Sequence, residues 1–195
     1  EQNHHGVVLC ALRWACWKTY LSRPEGDQLR KAAMITLGGG LCAAERYEEA
    51  LAVNQAALEF FQRTGSPEEV TLPLKDSVAG CCDRLERTEQ ALVMRREIYA
   101  SMTRVYGFEG QFGGLTFMAA CNLARVLINR PDYATAKELL SDVIPKCRRL
   151  LGPNHLDTLR LRSYYAMALH HDESATEENR SEAKTILEET IRTTT

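Results

Sequence analysis

The feature that most constrains this chain of 195 residues is an internal repeat. An alanine with apolar residues three and eight positions after it occurs four times, at spacings of 41, 45 and 47 residues. These alanines are Ala50, Ala91, Ala136 and Ala183. Such offsets lie on one face of an α-helix, and one repeat of this length cannot bury that face alone. The pattern therefore predicts a stack of similar helical units.

A second helix is predicted before each repeated alanine. Twelve residues before the first three alanines stands a small residue, which has a large apolar neighbour before it and an apolar residue three positions later. A longer loop displaces it in the fourth repeat. The small residues are Gly38, Ala79, Ala124 and Ala166. A small residue lets two antiparallel helices approach closely, while the large residues fill the seam. The chain is therefore predicted to form helix pairs.

The predicted fold is all-α, with about four antiparallel helix pairs stacked as an α-solenoid. We expect the pairs to occupy residues 28–65, 66–107, 108–152 and 153–195. A partial preceding repeat or capping helix, with Trp14 and Trp17, lies within 1–27. The predicted helices are 6–21, 28–43, 46–63, 67–85, 88–106, 114–129, 132–150, 156–171 and 179–193. Because the chain starts at Glu1 and ends directly after a helical pattern, we expect a fragment of a longer protein.

Several local signals mark helix ends. Ser66 is expected to cap a helix that has Pro67 in its first position, and Pro131 is expected in the first position of another. Pro145 is predicted to bend its helix on the outer face. Three glycines after residue 107 are predicted to form a flexible linker between repeats. They are Gly110, Gly113 and Gly114.

This arrangement of small and apolar residues over 28–193 resembles tetratricopeptide repeats. Repeats longer than about 34 residues are similar to the kinesin-light-chain-like branch, whose linkers read approximately Leu-Gly-Pro-x-His-Pro-x-Thr-Leu. Here Leu151–Leu159 reads LGPNHLDTL, with Leu156 in the place of the second proline. Asn122-Leu123-Ala124 matches the Asn-Leu-Ala of the following helix. The resemblance implies that the helix pairs form a right-handed superhelix. It also implies a non-catalytic protein-interaction scaffold that binds a partner peptide or helix in a concave groove.

In the resembled family, the first helix of each pair lines the groove at positions two before and one, four or five after the small residue. Asn122 offers a donor and an acceptor to a peptide backbone, and Arg84 and Arg125 can each grip a carboxylate. A solvated helix face is the alternative, and extended and helical ligands are both possible. The groove candidates are Ser77, Asp83, Arg84, Asn122, Arg125, Asn129, Tyr164, Met167 and His170, in a wider set with Thr36, Gly39, Cys42, Gly80, Ile128 and His171.

Other clusters carry weaker signals for chemistry. The Gly38-Gly39-Gly40 run lacks the Lys-Ser/Thr of a phosphate-binding loop. His170 and His171 are adjacent and point in different directions on a helix, so they do not form a ligand set. Cys81-Cys82 could be redox active, but Cys82 falls on a core position. We therefore predict no catalytic residue, no cofactor and no metal site, and do not expect an enzyme.

The composition of the chain argues against some classes of binding partner. Lys and Arg number 24 and Asp and Glu 26, so the net charge of −2 argues against nucleic-acid binding. The longest uncharged apolar stretch, residues 6–12, is too short to span a membrane. Seven cysteines without a CxxC spacing indicate a reducing compartment, and we expect a cytoplasmic protein.

We therefore expect a protein or peptide partner, with no nucleic acid, no membrane and an undetermined oligomeric state. Two alternative functions stay open: an accessory or regulatory domain of a larger enzyme or signalling protein, and self-assembly through open solenoid ends.

Overall fold

The structure, a computed structural model, describes residues 2–172 and 174–194, and the side chains of 6–172 and 174–192. Residues 1, 173 and 195, which fall within the predicted segments 1–27 and 153–195, lie outside this description. The described residues form nine α-helices and no strand. They are α1 (Gln2–Tyr20), α2 (Gln28–Ala43), α3 (Tyr47–Arg63), α4 (Glu68–Arg84), α5 (Thr88–Val105), α6 (Gly113–Asn129), α7 (Tyr133–Leu151), α8 (Leu156–His171) and α9 (Glu177–Thr194).

The helices group into two compact units, Glu1–Met94 and Arg95–Thr195, with the division inside α5. In the first unit, α1 packs against α2, α2 against α3 and α3 against α4, and α2 also lies beside α4. In the second unit, α6, α7, α8 and α9 pack in the same way, and α6 lies beside α8. Each unit therefore pairs consecutive helices and also aligns the first helices of neighbouring pairs.

The repeated small residues are buried, as the periodicity predicts. The four alanines of the second helices are 0% or 1% exposed, and Ala79, Ala124 and Ala166 are 0% exposed. Gly38 is also buried, and a Cβ there would lie 1.9 Å from Oδ1 of Asn54 on α3. The predicted register is therefore confirmed at these positions. Ile191 is an exception: it is 64% exposed instead of packed.

The bounds of α2 to α9 agree with the predicted helices within two residues at each end, but two capping predictions are wrong. Glu68 begins α4 after Pro67, which occupies the cap position without a side-chain hydrogen bond, so Ser66 is not the cap. Asp132 caps α7 by accepting from the Thr135 N–H, so Pro131 precedes the helix. The backbone N–H groups at the start of a helix can be satisfied equally well by an acceptor, or removed by a proline, one residue away. The start of a helix is therefore hard to predict to the residue.

The predicted flexible linker is wrong at Gly113. This residue is buried, begins α6 and packs so closely that a Cβ would lie 2.1 Å from the Phe108 carbonyl oxygen. Gly114 is also helical, but a Cβ there would meet nothing within 4 Å. Gly110 has a φ of +83° in the turn, where glycine avoids the strain that an L side chain would carry. Gly113 therefore serves a backbone contact.

A buried threonine recurs eight residues before three of the small residues, a signal that the apolar periodicity does not reveal. The three are Thr71, Thr116 and Thr158. Thr116 Oγ1 donates to the Gly107 carbonyl, and Thr158 Oγ1 donates to the Gly152 carbonyl at 2.8 Å. In the second unit these hydroxyls tie each linker to the helix that follows it. This contact gives the Thr of the Thr-Leu pair in the linker motif a structural reason.

Replacing Thr158 with valine is expected to lower the free energy of unfolding by about 1–3 kcal/mol. The Thr158 side chain is 0% exposed. Valine has no hydroxyl, so the Gly152 carbonyl loses this hydrogen-bond donor. Thermal unfolding followed by circular dichroism measures the effect. Thr158→Ser keeps the donor and should lose less stability than valine; a valine variant as stable as the serine variant would contradict the role of the hydroxyl.

Candidate functional site

The groove candidates of the second unit lie on the neighbouring first helices α6 and α8. Asn122, Arg125 and Tyr164 are half-buried, while Asn129 and Met167 are exposed. Side chains of this kind are held by their helices and still reach solvent. Ile128 does not fit the prediction, because it is only 7% exposed and belongs to the core of α6.

Arg125 and Tyr164 connect the two helices electrostatically. Burial raises the pKa of Tyr164, Cys121 raises it further, and the charges of Arg125 and Arg160 lower it. Together these effects raise the pKa of Tyr164, so its side chain is a neutral phenol near pH 7. Its hydroxyl can donate and accept, and two guanidinium groups lie within electrostatic range of it. This combination suits a ligand that carries both backbone amides and a carboxylate.

The histidines at the end of α8 face the second helix of the preceding pair. The His171 ring stacks on Tyr133, the first residue of α7, with 6.2 Å between ring centres. The His170 ring meets His171 edge-on at 5.0 Å. In the described part of the chain, no three His, Cys, Asp or Glu side chains gather as a metal ion would require.

In the first unit the candidates lie on α2 and α4, and several contact residues of the same unit. Arg13 of α1 donates to the Thr36 carbonyl at 3.3 Å, and its Nη1 would lie 2.9 Å from a Cβ at Gly39. The Arg84 guanidinium lies 5.0 Å from the ring centre of Tyr47, at the start of α3. Part of the predicted surface of α2 is therefore occupied by α1.

Two further candidates on α4 differ in their exposure. Ser77 is exposed and donates to the Pro73 carbonyl of its own helix at 3.0 Å. Asp83 is half-buried, one position before Arg84.

Two cysteines of the first unit meet across α2 and α4. The Sγ atoms of Cys42 and Cys81 are 3.5 Å apart, and Asn54 Nδ2 donates to Cys81 Sγ at 3.6 Å. The hydrogen bond between the two thiols lowers the pKa of Cys42, and that same bond together with burial raises the pKa of Cys81. Cys82 is 0% exposed in the core, as its position predicts. The sequence pointed to the adjacent pair, whereas the structure joins Cys81 to a thiol 39 residues away.

Three open cavities recur on the side of the second helices, and we call them the inter-helix cavities. Their volumes are about 270 Å³ between α1, α2 and α3, about 420 Å³ between α5, α6 and α7, and about 300 Å³ between α7, α8 and α9. Trp17 lines the first, and Trp14 beside it on α1 is 45% exposed. Residues at the repeated offsets of three and eight line the other two, including Tyr99, Leu139 and Ile144. These offsets indicated buried seams, but their half-buried side chains also form apolar recesses.

A tetratricopeptide repeat family model matches residues 116–157, from Thr116 on α6 through α7 to Asp157 at the start of α8. A comparison with curated proteins finds no match. Among the described helices, none is both long enough and apolar enough to cross a membrane.

Solved structures with a similar fold include a protein of Podosopora anserina, provisionally assigned as a kinesin light chain and described by its nearly identical TPR-like repeats. It is 17% identical, with a TM-score of 0.80 over 99% of this chain and 89% of that chain. A variant of it is 17% identical, with a TM-score of 0.81 over 98% and 88% of the two chains.

A second similar protein is BtubC (BKLC) from P. vanneervenii. It is 13% identical, with a TM-score of 0.62 over 95% of this chain and 83% of that chain. At such identities the likeness concerns the fold alone. The predicted all-α repeat fold is confirmed.

Proposed function

We propose that this chain, whose residues 116–157 match a tetratricopeptide repeat model and whose fold is similar to that of kinesin-light-chain-like repeat structures, is a non-catalytic scaffold that binds a partner peptide or helix on its first helices. Repeats of this fold generally serve protein interaction and are typically non-catalytic. We further propose that four helix pairs, at 28–65, 66–107, 108–152 and 153–195, follow a capping segment at 1–27. Seven free thiols favour a reducing compartment such as the cytoplasm.

The observation that carries this proposal is the polar surface formed by Asn122 and Arg125 on α6 and Tyr164 on α8. All three side chains are half-buried and belong to helices that pack side by side. Groups held on rigid helices lose little conformational entropy when a ligand binds, so their hydrogen bonds contribute more to affinity. An extended peptide or one face of a helix can meet such a surface, and Met167 adds an exposed apolar contact beside it.

The charge of this surface favours an acidic ligand. Arg125 and Arg160 both act on the Tyr164 hydroxyl, which places positive potential around it. Asp157 lies 3.8 Å from Arg160 and offsets part of that charge. A carboxylate side chain of the partner would approach Arg125, while its backbone would reach the Asn122 amide. We therefore propose that the partner segment contains Asp or Glu next to an apolar residue.

The test begins with a displayed library of random peptides selected against the full chain, followed by fluorescence anisotropy with the selected peptide. Asn122→Ala is expected to weaken affinity by about 2- to 10-fold, the equivalent of a hydrogen bond worth about 0.5–1.5 kcal/mol. Arg125→Glu is expected to weaken it by about tenfold or more and to slow association, because it repels an acidic ligand. Selected peptides should be enriched in Asp and Glu.

Two control variants separate this surface from the rest of the unit. Glu138→Lys alters an inter-helix cavity between α5 and α7, and Glu178→Lys alters an exposed position in the first turn of α9. Both should bind as wild type does. If folded Asn122 and Arg125 variants keep full affinity while Glu138→Lys loses it, the ligand occupies the inter-helix cavity and the groove proposal is wrong.

A further inference from the structure

We propose that Cys42 and Cys81 form a reversible oxidation site, at which a peroxide converts the two thiols into a disulfide that ties α2 to α4. The pair lies in the first unit and is not the adjacent pair of cysteines that the sequence displays. Its chemistry is independent of ligand binding. Only its effect on binding rests on the proposed function.

The two sulfur atoms are near enough for a disulfide bond to form after a small movement. The two Sγ atoms are 3.5 Å apart, whereas a disulfide requires about 2.05 Å, so the sulfurs must close by roughly 1.5 Å. Side-chain rotation supplies a movement of this size when the two backbones are neighbours, and α2 lies beside α4. Both helices already belong to one compact unit.

The two thiols are unequal, which assigns their roles. Cys42 is half-buried and reaches solvent, while Cys81 is 1% exposed. Asn54 donates to the Cys81 sulfur, and either thiol can donate in the contact between the two cysteine sulfurs. When Cys42 loses its proton, the Cys81 S–H can donate to the Cys42 thiolate, which is the reactive form. Cys42 is therefore the attacking residue and Cys81 the resolving residue.

The reaction balances with a peroxide as the oxidant. The Cys42 thiolate attacks one peroxide oxygen; an S–O bond forms, the O–O bond breaks, and the released hydroxide takes a proton to become water. The Cys81 sulfur then attacks the sulfenic sulfur; the S–S bond forms, the S–O bond breaks, and the hydroxyl leaves with the Cys81 proton as a second water. Two thiols lose two electrons in total, and the peroxide gains them. A dithiol reductant reverses the change by exchange.

The buried cysteines of the second unit show why this pair differs. Burial raises the pKa of Cys121 to about 12, and burial also raises the pKa of Cys147. Cys147 Sγ shares a hydrogen bond with the Thr158 hydroxyl instead of a second thiol. Both side chains are closed to solvent, at 5% and 0% exposed. Such thiols stay protonated and out of reach of an oxidant.

A disulfide here would fix the spacing of two first helices. Cys42 occupies one of the predicted groove positions of α2, and Ser77 and Asp83 lie on α4. If the proposed function is correct, oxidation changes the part of the binding surface that these helices carry. Regulatory disulfides of this transient kind occur in reducing compartments.

The experiment treats the full chain with hydrogen peroxide, blocks remaining thiols with an alkylating agent, and measures intact mass and disulfide-linked peptides. We expect loss of two hydrogens, one link between the peptides that carry Cys42 and Cys81, and full reversal by dithiothreitol. Cys42→Ala should abolish the link. Cys81→Ala should also abolish it and leave Cys42 as a sulfenic acid that dimedone traps. Cys82→Ala, which removes the neighbouring thiol, and Cys16→Ala, which removes another half-buried thiol, should both keep the link.

Two results would overturn the proposal: oxidation of Cys42 to sulfinic acid without a link in the folded wild type, or a link between other cysteines. Circular dichroism of each variant identifies a loss of folding, and the wild-type result stands without any variant. Affinity for the selected peptide is measured separately on the oxidised chain. A reversible Cys42–Cys81 link with unchanged affinity would support the oxidation site and argue against a role of this part of the groove in binding.

Discussion

Gly113→Ala is expected to destabilise the second unit by about 2 kcal/mol or more, while alanine at the neighbouring Gly114 leaves stability unchanged or raises it. A Cβ at Gly113 would lie 2.1 Å from the Phe108 carbonyl oxygen and 2.6 Å from its carbonyl carbon. Because these are backbone atoms at the entry of α6, relief requires the linker to move away from the helix. That movement would also disturb the Phe108 ring, which packs 5.2 Å from the fully buried Phe117.

Gly114→Ala is a matched control, because it changes the same residue type in the same turn of α6. A Cβ at Gly114 meets nothing within 4 Å. Because alanine lowers the conformational entropy of the unfolded chain, this variant should gain about 0.4–1 kcal/mol of stability. Urea unfolding of both variants measures the two free energies. Equal effects of the same sign would show that Gly113 and Gly114 belong to one flexible linker after all.

Ala136→Trp is expected to lower the free energy of unfolding by about 3 kcal/mol or more, at the upper end of the range for overpacked cores. Ala136 is 0% exposed on α7, where it occupies the repeated position of close approach between helices. An indole ring cannot fit there unless α7 separates from its neighbours. For a chain of this length each kcal/mol lowers the melting temperature by about 2–4 °C, so the variant should melt several degrees below wild type.

Ser141→Trp provides the comparison on the same helix. Ser141 is exposed, its hydroxyl donates to the Glu138 carbonyl of its own helix, and it borders an inter-helix cavity that has room for a larger side chain. Its melting temperature should change little. A Ser141 variant that melts as low as the Ala136 variant would show that the repeat register, and with it the assignment of packed positions, is wrong.

Distance from a small residue predicts some groove positions and not others. It predicts Asn122, Arg125 and Tyr164, which are half-buried on neighbouring helices. It also predicts Ile128, which is buried, because sequence distance carries no information on how closely the next helix packs there. The inter-helix cavities were not predicted, although the residues that line them were identified as a repeated pattern.

The local order of the protein is encoded in its amino-acid pattern. Helix positions, helix pairing and the burial of Ala50, Ala91, Ala136 and Ala183 depend on apolar periodicity and on side-chain size, which are properties of short segments. The ends at Ser66 and Pro131 were misassigned, since adjacent residues compete for the same cap. The contact of Gly113 with the Phe108 backbone, and that of Cys42 with Cys81 across 39 residues, arise only when the helices pack together. Such contacts depend on the distance and angle at which whole helices pack, and these are set by all the side chains of an interface together.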